Sequence, residues 1–175
     1  AQRGQEYLAM ADMYALPASE SKPFTKDEAA QFKAQLDDSS ADEALQLIMS
    51  IQEMGRVPAQ AAMAQIGEDG NVYAYAGGIA METGQLPIAS DIIRGQKRIN
   101  DNPSIKAQIG QSSDDMSMSF NSIVGASLAG IAPDQRQAIQ DAALAHYVET
   151  YVSRGAEGFN NAAYTKSVQS VIGGA

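Results

Sequence analysis

The sequence predicts an all-α protein, an irregular bundle of about eight to nine helices around one buried central helix. Apolar residues recur at steps of three and four along most of the chain, which is the spacing of one helical face. No run of four residues alternates β-branched or aromatic residues with polar ones, as a strand would. Prolines, glycines and hydroxyl–carboxylate pairs recur where helix ends are expected.

The central helix is predicted between Met116 and Ile131, a stretch without charged residues. Its large apolar residues share one face, whereas serine, alanine and glycine occupy the other. This composition is typical of a helix with neighbours on most sides. Ser122, Ala126 and Gly130 lie four residues apart, and such small-xxx-small spacing predicts a close contact between helices.

The same uncharged stretch also raises the alternative of a membrane span. It falls short of the roughly 20 strongly apolar residues that a span needs, and several serines and an asparagine interrupt it. We therefore favour a buried helix, and conditional insertion into a membrane stays an open alternative.

Prolines divide the chain near its start. Residues 1–16 are predicted to form an upstream helix and linker, because Pro17 stops the first helical pattern and Pro23 closes the linker. A single helical domain is predicted over residues 24–175. The first helical pattern has no N-cap before it, so we expect this chain to be a segment of a longer protein.

Capping boxes mark the first two helices of the domain, at Thr25 with Glu28 and at Ser40 with Glu43. Proline, which is favoured in the first helical turn, and asparagine mark the later helix starts. Those starts are predicted at or near Pro58, Asn71, Pro87, Asn102 and Pro133, and the last helix is predicted to have Asn160 or Asn161 as its cap.

Two adjacent glycines, Gly77 and Gly78, lie inside the helix predicted from Asn71 to Thr83. Glycine inside a helix costs about 1 kcal/mol relative to alanine. The pair therefore predicts that another segment of backbone crosses closely at this point. The next helix is expected to stop near Gly95 or one turn later.

Composition narrows the chemistry that the chain can perform. A net charge of −9 argues against nonspecific binding of nucleic acid, which requires clustered lysine and arginine. The absence of cysteine excludes disulfides, thiolate metal sites and cysteine nucleophiles. His146 is the single histidine and has no partner motif such as HExxH, so we predict neither a metal nor a cofactor.

Acidic pairs are the remaining candidates for acid–base catalysis, but their positions at helix starts and in turns indicate capping. Glu20 and Ser21 resemble the Glu-Ser pair of lytic transglycosylases. In lytic transglycosylases the Glu-Ser pair lies inside a helix, and a Gly-Leu-Met-Gln-like segment follows it. Glu20 and Ser21 instead lie in the predicted linker, and no such segment follows them. We predict no catalytic residue. The four acidic pairs are Asp37-Asp38, Asp42-Glu43, Glu68-Asp69 and Asp114-Asp115.

The segment Tyr73–Gln96 combines two short motifs, Ala-Tyr-Ala-Gly-Gly-Ile-Ala at 74–80 and Ile-Ile-Arg-Gly-Gln at 92–96. It resembles a helical region in the large internal virion proteins of tailed phages and prophages. The similarity extends over residues 24–154, with Gly78 and Pro87 as departures. It also includes Phe24-Thr25-Lys26-Asp27-Glu28, the turn at Ile66-Gly67, and Ala145-His146-Tyr147.

The resemblance implies a non-enzymatic structural domain of a protein that is packaged in the capsid and ejected with the genome. Its partners would be other virion proteins or further copies of itself. Its location would be the phage particle or, after ejection, the host envelope, and otherwise the bacterial cytoplasm. The small residues Gly77, Gly78, Ser122, Ala126 and Gly130 are the predicted packing and interaction sites.

Two other classes of function remain alternatives. One is a peptidoglycan-active domain, associated with lytic transglycosylases, in which carboxylates line a cleft between helices. The other is a stand-alone helical adaptor that binds a partner helix through a methionine- and alanine-rich face. The carboxylates of the first alternative are Glu68, Asp69, Asp114 and Asp115.

Overall fold

The computed structural model describes residues 22–67 and 69–173, which contain nine α-helices, two short 3₁₀-helices and no strand. The predicted all-α multi-helix class is confirmed. The upstream helix predicted at residues 1–16 lies outside the described residues. The α-helices are α1 (Lys26–Asp38), α2 (Ala41–Gln52), α3 (Arg56–Ala64), α4 (Gly70–Thr83), α5 (Leu86–Asp101), α6 (Ile105–Ile109), α7 (Ser113–Val124), α8 (Pro133–Thr150) and α9 (Asn161–Val171).

The chain divides into two compact units, one ending at Gln85 and the other beginning at Leu86. The first unit contains α1 to α4, and the second contains α5 to α9. The 3₁₀-helices, Gly125–Leu128 and Val152–Arg154, both belong to the second unit. The single domain predicted over residues 24–175 stays a prediction.

Both predicted capping boxes are present in the first unit. The Thr25 hydroxyl accepts the N–H of Glu28 at 3.2 Å, and the Glu28 carboxylate accepts the N–H of Thr25 at 2.9 Å. Ser40 and Glu43 form the same reciprocal pair at the start of α2. Because each box satisfies two backbone donors that the helix itself leaves free, the sequence alone places these two helix starts.

Helix α4 packs against α2 and α3 within the first unit. A Cβ atom at Gly77 would lie 2.6 Å from Cγ2 of Ile48, so the Ile48 side chain occupies that space. A Cβ atom at Gly78 would meet no atom within 4 Å. The close approach predicted from the glycine pair therefore occurs at Gly77 alone, and a side chain makes it.

Helices α5 and α8 form the most extensive helix pair of the second unit. A Cβ atom at Gly95 would lie 1.8 Å from the carbonyl oxygen of Ala145 and 2.5 Å from its carbonyl carbon. Only glycine leaves room for the two backbones to approach this closely. Gly95 is thus a buried packing position inside α5, which continues to Asp101.

The prediction of one central helix from Met116 to Ile131 is wrong. Helix α7 ends at Val124, and Gly125 then adopts φ +49° and ψ −127°, which breaks the helix. A 3₁₀-helix and an exposed connection follow. Only the apolar face of α7 is buried, and Met118 on its other side is 62% exposed.

Helix α8, and not the predicted segment Met116–Ile131, is the central helix of the second unit. It packs against α5 on one side and α9 on another, and most of its last three turns are buried. Its charged residues lie mainly at its two ends, which leaves an alanine-rich middle that neighbouring helices can approach. The buried residues are Ala138, Ile139, Ala142, Ala143, Ala145, His146, Tyr147 and Val148.

Ser122, Ala126 and Gly130 do not lie on one helical face. Ser122 belongs to α7, Ala126 belongs to the 3₁₀-helix, and Gly130 has φ +86° in the turn that follows. All three residues are exposed. The packing stripe predicted for them is absent from this structure, because the helix ends before the second of them. Their role in contacts with another chain stays a prediction.

Replacing Gly95 with alanine is expected to lower the free energy of unfolding by about 1–3 kcal/mol, the usual cost of overpacking. The new methyl group would meet backbone atoms of Ala145, which cannot rotate away as a side chain can. Urea denaturation followed by circular dichroism measures the loss. Gly78→Ala is the matched control and should leave stability unchanged or raise it by up to about 1 kcal/mol. Equal effects of the two substitutions would contradict this account of the α5–α8 contact.

Candidate functional site

Four aromatic residues, here called the aromatic cluster, join α8 to α9. Tyr147 lies in the last turn of α8 and Tyr151 directly follows the helix, with their stacked rings 5.2 Å apart. Tyr164 on α9 meets Tyr147 edge-on at 5.7 Å, and Phe159 packs against both from the preceding loop. Aromatic pairs in these geometries stabilise a contact beyond the apolar area that they bury. The cluster therefore attaches α9 firmly to α8.

The Tyr147 hydroxyl also organises the start of α9. It accepts the N–H of Asn160 at 3.0 Å and donates to the carbonyl of Gly158 at 3.5 Å. Asn160 is the N-cap of α9, and its side-chain oxygen accepts the N–H of Ala163 at 2.9 Å. Of the two predicted caps, Asn160 and not Asn161 is the one present, and Tyr147 fixes its position against α8.

His146 contacts α9 through a single polar partner. Its Nδ1 lies 3.0 Å from the Ser167 Oγ, and both side chains are buried. Asp91 on α5 acts electrostatically on the same imidazole. The structure thus brings a serine, a histidine and an aspartate from three helices into one neighbourhood, as in a nucleophilic triad.

Burial argues against catalysis by these three residues. His146 is 8% exposed and Ser167 is 2% exposed, so a substrate cannot approach the hydroxyl. Asp91 is engaged by Arg94, whose Nη1 donates to its carboxylate at 3.1 Å. The physical role that fits is structural, since the hydrogen bond satisfies two buried polar groups between α8 and α9.

Burial also keeps the buried titratable groups of the second unit neutral near pH 7. It lowers the pKa of His146, and the negative charge of Asp91 offsets only part of this shift. It raises the pKa of Tyr147 and of Tyr164 above the ordinary value for tyrosine. In the first unit, burial and the nearby Glu82 raise the pKa of Tyr75 to about 12. None of these shifts creates a group that exchanges protons near pH 7.

The Tyr164 hydroxyl differs from that of Tyr147. It is buried and has no hydrogen-bond partner among the described residues. A buried hydroxyl without a partner costs free energy, so the contribution of Tyr164 to the fold comes from its ring.

The described carboxylates proposed for a peptidoglycan-active site each lie in the first turn of a helix or directly before it. Asp115 is the third residue of α7 and caps it with Ser112, whose hydroxyl donates to its carboxylate at 2.7 Å. Asp114 is exposed in the same turn, and Asp69 directly precedes α4. Glu68 lies outside the described residues. The predicted capping role is thus confirmed for Asp115.

A shallow pocket of about 670 Å³ lies in the second unit, around the loop that joins α8 to α9. Its lining has one carboxylate, that of Glu157, so it lacks the pair that glycoside hydrolysis ordinarily requires. No group of three or more histidines and carboxylates within residues 22–67 and 69–173 could hold a metal ion. The pocket is lined by Gln108, Val152, Gly155, Ala156, Glu157 and Gly158.

Two arginines of α5 form ion pairs within the second unit. Arg94 pairs with Asp91, and the Arg98 Nε donates to Glu149 of α8 at 2.5 Å. The Glu149 side chain is 14% exposed, whereas that of Arg98 is 51% exposed. The second pair therefore adds a polar contact at the edge of the α5–α8 interface.

Among the described helices, none combines the length and the apolar character that a membrane crossing requires.

The sequence pattern could have predicted the structural role of some residues described above but not of others. Ser112 and Asp115 have the hydroxyl–carboxylate spacing of a cap, which could have been read in advance. Gly95 lies in the middle of an apolar pattern, so a packing role was open to prediction. Ser167 carries no local signal, because its partner lies 21 residues away on another helix.

Comparisons of the chain with protein-family models, curated proteins and solved structures found no match.

Stability is expected to fall below about pH 6.5 partly because of His146. Burial lowers its pKa in the folded chain, so the unfolded chain binds the proton first as the pH decreases. The contribution is therefore complete above the unfolded pKa and is lost as the pH falls towards the folded one. Urea denaturation of the wild type and His146→Gln at about pH 7.5 and pH 5.5 measures this loss. The wild type should lose more stability than the variant, and parallel losses would contradict the assignment.

Two tyrosine-to-phenylalanine substitutions should have different effects on stability. Tyr147→Phe leaves the Asn160 N–H without its acceptor, so we expect a loss of about 1–3 kcal/mol. Tyr164→Phe removes a buried hydroxyl that has no described partner, so stability should stay the same or rise. Thermal unfolding of both variants provides the measurement. A large loss for Tyr164→Phe would show that its hydroxyl is bonded in solution.

Proposed function

We propose that this chain is a non-enzymatic helical domain of a phage or prophage internal virion protein, used in particle assembly and genome ejection. The proposal starts from the resemblance of Tyr73–Gln96 to that family of proteins. Its partners would be other virion proteins or further copies of itself, in the particle or in the host envelope after ejection.

One observation carries the structural part of the proposal. Two segments of the resemblance, residues 92–96 and 145–147, lie about 50 residues apart in the sequence. In the fold they meet where Gly95 approaches the backbone of Ala145. The residues of these motifs are therefore used for helix packing, as expected of a structural domain.

The positions of the polar groups support a non-enzymatic role. Glu28, Glu43 and Asp115 cap helices, whereas His146 and Ser167 are buried in a contact between helices. Catalytic groups must reach a substrate, and these groups instead satisfy the protein's own backbone and side chains.

A stand-alone helical adaptor is the second candidate. Exposed large apolar side chains favour it, because such residues often mark contacts with other proteins. Met118 on α7 is 62% exposed, and Met81, near the end of α4, is 46% exposed. Virion proteins also associate with one another, so the cellular location separates the two candidates better than binding does.

Particles purified from the source cells should contain this sequence within a much longer polypeptide. Mass spectrometry of the particles can detect the tryptic peptide of residues 137–154. Electrophoresis followed by analysis of the same band would give the intact mass. A product close to 18.5 kDa that is free in the cell and absent from particles would overturn the proposal. Release of muropeptides by the purified chain would instead support the peptidoglycan-active alternative.

A further inference from the structure

The connection between α7 and α8 is weakly attached to the rest of the second unit. It consists of the 3₁₀-helix Gly125–Leu128 and a short loop that reaches Ala132. Leu128 is its one buried residue, and most of the others are exposed. Few contacts therefore hold this segment in its present conformation.

The sequence of the same segment favours a continuous helix. Met116, Phe120, Val124 and Leu128 recur at steps of four, so Leu128 would extend the buried face of α7 by one turn. Serine and alanine between the apolar residues are compatible with a helix. Local pattern and observed structure thus disagree here, although they agree along most of α7.

Arg136 on α8 makes the contacts that hold the connection closed. Its Nη2 and Nε donate to the Asn121 Oδ1 at 2.6 and 3.2 Å, and its Nη1 donates to the Leu128 carbonyl at 3.3 Å. Its guanidinium carbon also lies 5.9 Å from the ring centre of Phe120. One side chain therefore joins α7, the 3₁₀-helix and the first turn of α8.

Gly125 supplies the backbone conformation of the closed state. Its φ of +49° with ψ of −127° is readily available to glycine and strained for other residues. A Cβ atom at this position would meet no atom within 4 Å. Alanine would therefore disfavour the closed state through the backbone alone, and it would favour a helix.

We propose that the α7–α8 connection is a two-state switch: closed in the structure, and open when α7 continues as one helix to Ile131. Release of Arg136 would permit the change. Pro133 would end the extended helix, because a residue before proline disfavours the helical region. The extended helix would leave only a short link to α8, so opening would separate Ser117 from Gln140, now 2.9 Å apart, and would also disturb the contact of α7 with α9.

The open state would bring Ser122, Ala126 and Gly130 onto one helical face, at steps of four residues. The closed state instead distributes them over a helix, a 3₁₀-helix and a turn. The switch is independent of the proposed function, because it rests on contacts within the second unit.

The test uses the full 175-residue chain in four forms: wild type, Gly125→Ala, Arg136→Gln and the double variant. ¹³Cα secondary shifts and amide exchange report the state of residues 126–131. Helix propensity alone should raise the open-to-closed ratio about fivefold in Gly125→Ala. Loss of the Arg136 contacts should raise it further, so the double variant should show the most helical shifts and the slowest exchange.

The control is Gly158→Ala, which also places alanine at a positive φ, +74°, with no atom within 4 Å of the added carbon. It lies in the α8–α9 loop and should leave the shifts of residues 126–131 unchanged. Turn-like shifts in all variants would overturn the proposal. A disordered segment, or global unfolding of the double variant while Gly158→Ala stays folded, would overturn it too, because no helical second state would then exist.

Discussion

The second unit depends on the close approach of α5 and α8 at Gly95 and Ala145. A side chain at Gly95 would overlap the Ala145 carbonyl group, so this approach requires glycine. Residues that follow Ala145 on α8 make further contacts: His146 meets Ser167 of α9, and Glu149 pairs with Arg98 of α5. Since Tyr147 of α8 contacts Tyr164 and holds the N-cap Asn160, the position of α9 follows from that of α8.

Several polar side chains of this protein form hydrogen bonds with backbone groups at helix starts. Glu28, Glu43 and Asp115 accept backbone N–H groups at helix starts, where the helix leaves its donors unpaired. Tyr147 and Asn160 do the same at α9. Three of the carboxylates that contribute to the net charge of −9 therefore have a capping role. The use of these side chains for helix capping agrees with the structural role proposed from the resemblance.

Local rules failed where a distant residue decides the conformation. The apolar repeat through Met116 and Leu128 favours one long helix, yet Arg136 and Gly125 support a break. The contact between Ser167 and His146 also depends on residues that are distant in the sequence. Proximity of Ser167 to His146 is a property of helix packing, and so is the burial that prevents their use.

The sequence by itself determined the helical class and the capping boxes at Thr25 and Ser40, because these depend on neighbours within one turn. It also limited the cap of the last helix to Asn160 or Asn161. Which glycine is indispensable, which helix is central and which polar groups are accessible were decided by the tertiary structure. Gly77 and Gly95 meet residues at least 25 positions away, whereas Gly78 meets none within 4 Å, although all three look alike in a helical pattern. Burial and close approach arise from pairs of helices, and the pattern of a single helix does not contain its partner.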